Sequence, residues 1–412
     1  MKPHKILKRE IIDPLLENLS NDYILIIVGA RQTGKTCVLL YLKDFLSSKK
    51  EEIVHYVSLE DPIFLSLLNE HPQNIFDIIG ERSKRQIVLI DEIQYLKDPS
   101  HFLKYHFDFN RKSLKLIVTG SSAFYMDRKF KDSLAGRKRI FFLKPLNLKE
   151  VLNFKNKNIP ELIIDKEQYI TYPLIYRNTI ANIIKEILIY GSYPAVVLED
   201  NQKEKEAILY ELVNSYTKKD ILESGISSQE EYFLFLKILA SQIGQLANLS
   251  EISSTLRVSR HKIEKFVHVA LKCFHICRIR PFFRNIRKEL TKTPKFYFFD
   301  CGLRNALLRN FEILPARPDN GQLFENFVFN FLGDLFGYEN IQFWRSKDKN
   351  EIDFIVEQKR AIEAKYSDKG LKLGRYRSFL ERYNMPLHFL IFQRSDNIKQ
   401  ISDPRIKFVY FC

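Results

Sequence analysis

The stretch YILIIVGARQTGKTCVLLYL constrains this chain more than any other. An apolar run from Tyr23 to Val28 reads as a buried strand, and an amphipathic helix follows a short loop. Between them Gly29-Ala30-Arg31-Gln32-Thr33-Gly34-Lys35-Thr36 fits G-x-x-x-x-G-K-[ST] without deviation, in the strand–loop–helix setting that gives the pattern meaning. Glycines let successive backbone N–H groups turn inward toward phosphate oxygens. The helix presents the positive end of its dipole to the same anion. Lys35 is expected to reach the β- and γ-phosphates of ATP, and the Thr36 hydroxyl to ligate Mg²⁺.

A second strand, RQIVLIDEIQYL, supplies the acids that such a loop needs. The run Ile87 to Ile90 suits a strand buried on both faces of a parallel sheet. Asp91 at its end is placed to hold Mg²⁺, and Glu92 to polarise the attacking water. A third strand, LKLIVTGSSAF, ends in Thr119, Ser121 and Ser122; it is expected between the other two, aiming a polar group at the γ-phosphate. Arg137 follows a glycine just before a further strand, the place of an arginine finger or sensor, or of a cation paired with a neighbouring carboxylate. With IVHYVSLEDP, a five-stranded α/β unit of about 145 residues is expected.

The 412-residue length calls for two to four domains. No apolar run approaches the ~18 residues that span a bilayer, so no membrane role is expected. The start, MKPHKILKRE, lacks the apolar core of a secretion signal. Five cysteines, few and odd in number, fit reduced thiols and a cytoplasmic location. The net charge of +15 is uneven: Arg257 to Arg304 holds thirteen Lys or Arg against Glu264, Glu289 and Asp300. Such clustering suits a surface facing nucleic-acid phosphates, or a solvated basic face.

The stretch NEIDFIVEQKRAIEAKYS, residues 350 to 367, carries a second chemistry. Asp353, then Glu363 and Lys365, stand as in nucleases of the PD-(D/E)xK type. A hairpin turning at EQKR would bring Asp353 opposite Glu363, a carboxylate pair suited to Mg²⁺. Lys365 lies two residues on, on the same face, to orient water or steady charge on a phosphate. A charged hairpin without catalysis has the same pattern. Trp344 and Arg345 could help hold a nucleic-acid strand, or Trp344 could be core.

From about Asn147 to Glu230 the pattern is helical, broken by GSYP at 191–194. LANLSEISSTLRVSRHKIEKFVHVALKCFHICRI then reads as helix, turn and a second helix capped by Ser259. Arg260, His261 and Lys265 would lie on its exposed side, as a helix-turn-helix presents them to DNA, and two strands around a basic turn would form a wing; a packing module that binds only protein has the same pattern. Cys273, His275 and Cys277 with His268 lack a four-ligand zinc spacing and read as core thiols and histidines.

GARQTGKT, LIDEIQYL, VTGSS and LAGRKRIFFLKPLNLKE together resemble the prokaryotic AAA-type ATPases that carry a C-terminal domain of unknown function. The resemblance runs over nearly the whole chain, and GSYP is similar to a turn found in that group. It implies an α/β fold: a P-loop NTPase parallel sheet (1–146), a helical lid (147–235), a winged helix (236–310) and a restriction-endonuclease-like α/β domain (311–412). It also implies that Glu325, in GQLFENFVFNFLGDLF, joins Asp353 and Glu363 around the metal. Members of the group include proteins that have drifted toward binding, so an ATP-driven DNA-binding protein with nuclease activity stands beside a non-cleaving regulatory or scaffold protein. A finger role for Arg137 implies a homo-oligomer.

Overall fold

A computed structural model of the chain describes residues 6–49, 53–80, 84–120, 134–224, 226, 228–282, 292–346, 348–395 and 403–412, with side chains for all of these except 216–224. It divides into two compact units. One comprises Met1–Pro145, Lys219–Ile226 and Lys272–Phe274, the other Leu146–Lys218, Ser227–Leu271 and His275–Cys412.

In the first unit, β1 (Ile24–Gly29) leads through the loop into α1 (Lys35–Ser48). β2 (Ile53–Ser58), β3 (Gln86–Asp91), α2 (Pro99–Asn110), β4 (Leu114–Gly120) and β5 (Lys138–Leu143) follow. The strands form a parallel sheet in the order β2-β3-β4-β1-β5. β1, β3 and β4 are buried along their whole length, as strands covered on both faces must be. Side chains alternate between two cores. Ile24, Ile26 and Val28 pack on one face with Val88 and Ile90, and Leu25 and Ile27 on the other with Val38, Leu39 and Leu42 of α1. Because all five strands point one way, the loop after β1 and the acids ending β3 emerge at the same edge. β4 lies between them, as its sequence leads one to expect.

The second unit contains α3 (Arg177–Tyr190), α4 (Gln229–Ser241), α5 (Leu249–Leu256), α6 (Arg260–Lys272), β6 (Ile276–Ile279), β7 (Lys295–Phe298), α7 (Cys301–Leu308) and α8 (Asn320–Phe336). β8 (Ile341–Arg345), β9 (Glu351–Val356), β10 (Arg360–Ser367), α9 (Arg377–Tyr383), β11 (Leu387–Gln393) and β12 (Ile406–Tyr410) complete it. Its larger sheet runs β12-β11-β10-β9-β8, antiparallel from β8 to β10 and parallel from β10 to β12. The β9–β10 turn takes positive φ at Glu357 and Gln358 and is closed by the Lys359 N–H donating to Val356 O at 3.0 Å. Trp344 is core rather than a nucleic-acid contact: it is 5% exposed, edges onto the Phe379 ring and donates to the Tyr383 hydroxyl at 3.2 Å.

α5 and α6 are joined by a tight turn with Arg257 in the left-handed region, and the Ser259 hydroxyl accepts from Lys262 N–H at 3.2 Å. Arg260, His261 and Lys265 are exposed. β6 and β7 pair antiparallel; residues 283–291 of the expected wing lie outside the described residues. Cys273 is buried, and His275 shares a hydrogen bond with the Tyr232 hydroxyl. The expected lid lies for the most part in the second unit. Its irregular segment packs on the C-terminal sheet, where the Tyr169 hydroxyl meets His388 Nδ1 at 2.6 Å and Tyr172 donates to Phe411 O at 2.5 Å. Among the described residues no helix is long and apolar enough to cross a membrane.

The GSYP turn is a docking point. Asp300, wholly buried, accepts from Ser192 N–H at 2.6 Å and caps α7 through Leu303 N–H at 2.8 Å. Asn305 donates to Leu188 O and Ile189 O, carbonyls in the last turn of α3. Gly302 faces the same helix end so closely that a Cβ there would lie 2.0 Å from Tyr190 O. Gly302→Ala is therefore expected to destabilise the protein by about 1–3 kcal/mol through overpacking, read as a lower midpoint in chemical denaturation; an unchanged midpoint would contradict this close approach.

Candidate functional site

The loop after β1 is built by steric necessity. A Cβ on Gly29 would lie 2.1 Å from Leu143 O of β5, so a side chain there would push the edge strand away. Gln32 and Gly34 take positive φ, and no side chain caps α1. Thr33, fully buried, donates to Ala30 O at 2.8 Å. Arg9, which the sequence reading missed, donates to Thr33 O at 2.7 Å and Lys144 O at 2.9 Å, tying the loop to the chain after β5. Lys35 is folded onto Gly29 O and Ala30 O, at 3.2 and 2.9 Å. Arg31 is half-buried.

Across the sheet edge Thr36 donates to Asp91 Oδ2 at 2.7 Å, and Tyr56 donates to the same oxygen at 3.1 Å. Thr119 is engaged by the acids beside it. Its buried hydroxyl donates to Asp91 Oδ1 and accepts from Glu92 N–H at 2.9 Å. That bond helps hold Glu92 at φ 59°, a region few non-glycine residues occupy. Gln94 donates to the Glu92 carboxylate. Hydroxyl and carboxylate oxygens thus converge where a hard, oxygen-seeking cation would fit. Ser121 and Ser122 lie outside the described residues.

Arg137 corrects an expectation. β5 is parallel to β1 with Ile24 opposite Lys138, so Arg137 stands at the edge of the sheet opposite the phosphate loop. There it pairs with Asp108 at 2.8 Å. It is no sensor for its own loop, and a finger role is left only toward another copy of the chain.

In the second unit Asp353 and Glu363 do face each other. Asp353 N–H donates to Glu363 Oε1 at 3.2 Å, and Ala364 N–H to Asp353 Oδ2 at 3.0 Å. Lys365 contacts Glu363 Oε2 at 2.5 Å and Asp353 Oδ2 at 3.3 Å, and Tyr376 donates to Glu363 at 2.9 Å. Glu325 accepts from Tyr297 at 2.5 Å and lies 3.7 Å from Lys295, which also pairs with Glu351 at 2.5 Å. Burial, then the Asp353 charge, pushes Glu325 up to about 7 and Glu363 up to about 8. Burial opposes ionisation of Asp353 too, but Lys365 and Lys295 hold it below the usual carboxylate range. Among the described residues no three His, Cys, Asp or Glu are set to hold a metal. Glu325, Asp353 and Glu363 are therefore neighbours but not a preassembled triad, because two lysine ammoniums stand among the carboxylates. Sequence reasoning missed Lys295, Tyr297 and Tyr376, which come from segments with no motif of their own, and Glu351, which stands two residues before Asp353 within the motif stretch.

Residues 21–152 match the AAA domain family. Residues 181–313 match a domain of unknown function (DUF8612), and 320–410 another (DUF4143). The chain is 25% identical over 376 residues to an uncharacterized protein of Methanocaldococcus jannaschii, covering 89% of this chain and 78% of that one. It is also 25% identical over 315 residues to one of Haemophilus influenzae, covering 74% of each. Solved structures similar to it include AMPPCP-bound DnaA from Aquifex aeolicus (19% identity, 63% of this chain and 85% of that, TM-score 0.29). The ADP form of the Aeropyrum pernix ORC2 protein is another (10%, 73% and 92%, 0.34). At such scores the fold rests on this chain's own sheet. The N-terminal unit carries an AAA-type P-loop ATPase domain. The chain ends in the domain of unknown function DUF4143.

Two outcomes follow. Arg9→Gln removes a charged donor from the loop and is expected to weaken ATP binding about tenfold, measured by titration calorimetry; an unchanged affinity would contradict its role. Lys295→Met leaves Glu325 and Glu351 facing a lost cation. It is expected to cost about 3 kcal/mol in urea denaturation, with much of the loss recovered by adding Glu351→Gln, whereas additive losses would contradict the pairing.

Proposed function

We propose that the protein is a Mg²⁺-dependent ATPase whose nucleotide cycle is coupled to nucleic-acid binding by its second unit. The observation that carries the reading is the Thr36–Asp91 contact at 2.7 Å, which joins the phosphate loop to the acidic strand end. With ATP bound, the loop N–H groups and the α1 N-terminus take the phosphates, and Lys35 leaves its own carbonyls for the β- and γ-oxygens. Thr36 and Asp91 would hold Mg²⁺, which supplies charge neutralisation on the phosphates. Glu92 accepts a proton from the attacking water, oriented by Gln94 and by the turn that Thr119 holds. Arg137 serves the site of a neighbouring copy, which makes the active form a homo-oligomer.

The second unit supports DNA as the partner through the exposed Arg260, His261 and Lys265 and the basic ribbon. We read helices α5 and α6 with the β6–β7 ribbon as a winged helix, and the last sheet with α8 as nuclease-like, since Asp353, Glu363 and Lys365 lie on adjacent strands in reach of one another. Metal-assisted phosphodiester cleavage there would need Lys295 and Lys365 to yield the carboxylates to Mg²⁺. A second reading, a nucleotide-dependent protein that binds DNA and cuts nothing, is favoured by those same two lysines, which already neutralise the cluster.

Glu92→Gln is expected to retain ATP while lowering phosphate release about 10²–10⁴-fold; normal turnover would remove Glu92 from its role. Asp353→Ala is expected to leave ATP turnover intact and to abolish Mg²⁺-dependent nicking of plasmid DNA. A wild-type protein that binds DNA without nicking it decides for the second reading.

A further inference from the structure

A cavity of 440 Å³ opens between α6 and the β6–β7 ribbon, within the ~300–1,000 Å³ range of small-molecule sites. Its walls divide by chemistry. Val267 and Leu271 of α6 give an apolar side, while Arg278, Arg280 and Lys292 line the ribbon side. The one acidic wall residue, Glu264, is held by Arg260 at 3.0 Å. Arg278 and Arg280 are two apart on one strand course and so share a face. Among the described residues no carboxylate pairs with Arg278, Arg280 or Lys292. Burial, then the like charge of Arg280, holds Arg278 below the ordinary arginine range. Cations crowded together repel one another unless an anion joins them.

We propose that this cavity binds a phosphorylated nucleotide, with Arg278 and Arg280 on the phosphate and Val267 and Leu271 against the sugar and base. The nucleotide is either the phosphate-bearing end of a nucleic-acid strand or a free mononucleotide; only the first source rests on the nucleic-acid reading above. A planar guanidinium suits phosphate because it offers parallel N–H donors to two oxygens. The cavity wall runs on in sequence into a residue of the acidic cluster. Lys292, Thr293 and Pro294 line the cavity, and the next residue, Lys295, pairs with Glu351.

The test uses the full chain with no nucleotide besides the probes, so that nothing competes for the cavity; binding at the phosphate loop is the part that the cavity variant retains. Fluorescence anisotropy follows short single-stranded DNA with a 5′-phosphate, a 3′-phosphate or neither, and calorimetry follows thymidine monophosphate. One terminal phosphate is expected to tighten DNA binding about tenfold, and Arg278→Gln with Arg280→Gln to erase that gain. ATP turnover, unchanged in the double variant, reports that it folds. Saturable thymidine monophosphate binding, lost in the double variant without any preference among the oligonucleotides, assigns the free mononucleotide instead and would stand even if no DNA bound. Equal affinity for all three oligonucleotides without thymidine monophosphate binding overturns the proposal. So does a double variant that weakens every oligonucleotide alike and leaves any terminal-phosphate preference and any thymidine monophosphate binding in place.

Discussion

One hydrogen bond, from Thr36 to Asp91, spans the distance between a helix start and a strand end, and the first unit is arranged so that it can form. It requires β1, β4 and β3 to be parallel and adjacent, so that two strand ends and a helix N-terminus share an edge. It requires Gly29, since a Cβ there would displace β5. It also requires Thr119 in β4, whose hydroxyl fixes the Asp91 side chain and the Glu92 backbone together. Removing water-facing alternatives in this way preorganises the acids before any ligand arrives, which is how such sites stabilise charge at little reorganisation cost.

The second unit solves a different problem: four carboxylates, Glu325, Glu351, Asp353 and Glu363, lie near one another and are shielded from water to different degrees. Lys295 and Lys365 make this tolerable by interleaving positive charge. Lys295 comes from β7, and Tyr297, two residues on, binds Glu325. The ribbon and the last sheet are therefore joined through charge as well as through packing. The same lysines already occupy the carboxylate oxygens that a metal ion would need.

What the sequence made legible was whatever depends on local backbone and on alternation. The phosphate loop, the acidic pair, the position of β4, the break between two helices at Arg257–Ser259 and the 353–363 hairpin all follow from short stretches whose spacing carries the physics. What it hid depends on contacts between distant segments. Arg9 reaches the loop from outside the motif, and Lys295 and Tyr297 read as ordinary strand residues until the fold sets them against Glu351 and Glu325. Arg137 was legible as a cation before a strand but not as lying at the far sheet edge, because its place depends on the direction of β5. Trp344 was ambiguous for a related reason, since burial decides its role and only the whole sheet decides burial.

Phosphate release by the purified chain, followed with ATP in the presence and absence of Mg²⁺ and repeated with Thr36→Ala, bears most directly on this account. Steady release that needs both the metal and the Thr36 hydroxyl is the predicted result. Nucleotide turnover indifferent to both, or none at all under any condition, would contradict the claim that this sheet edge is built to split a triphosphate.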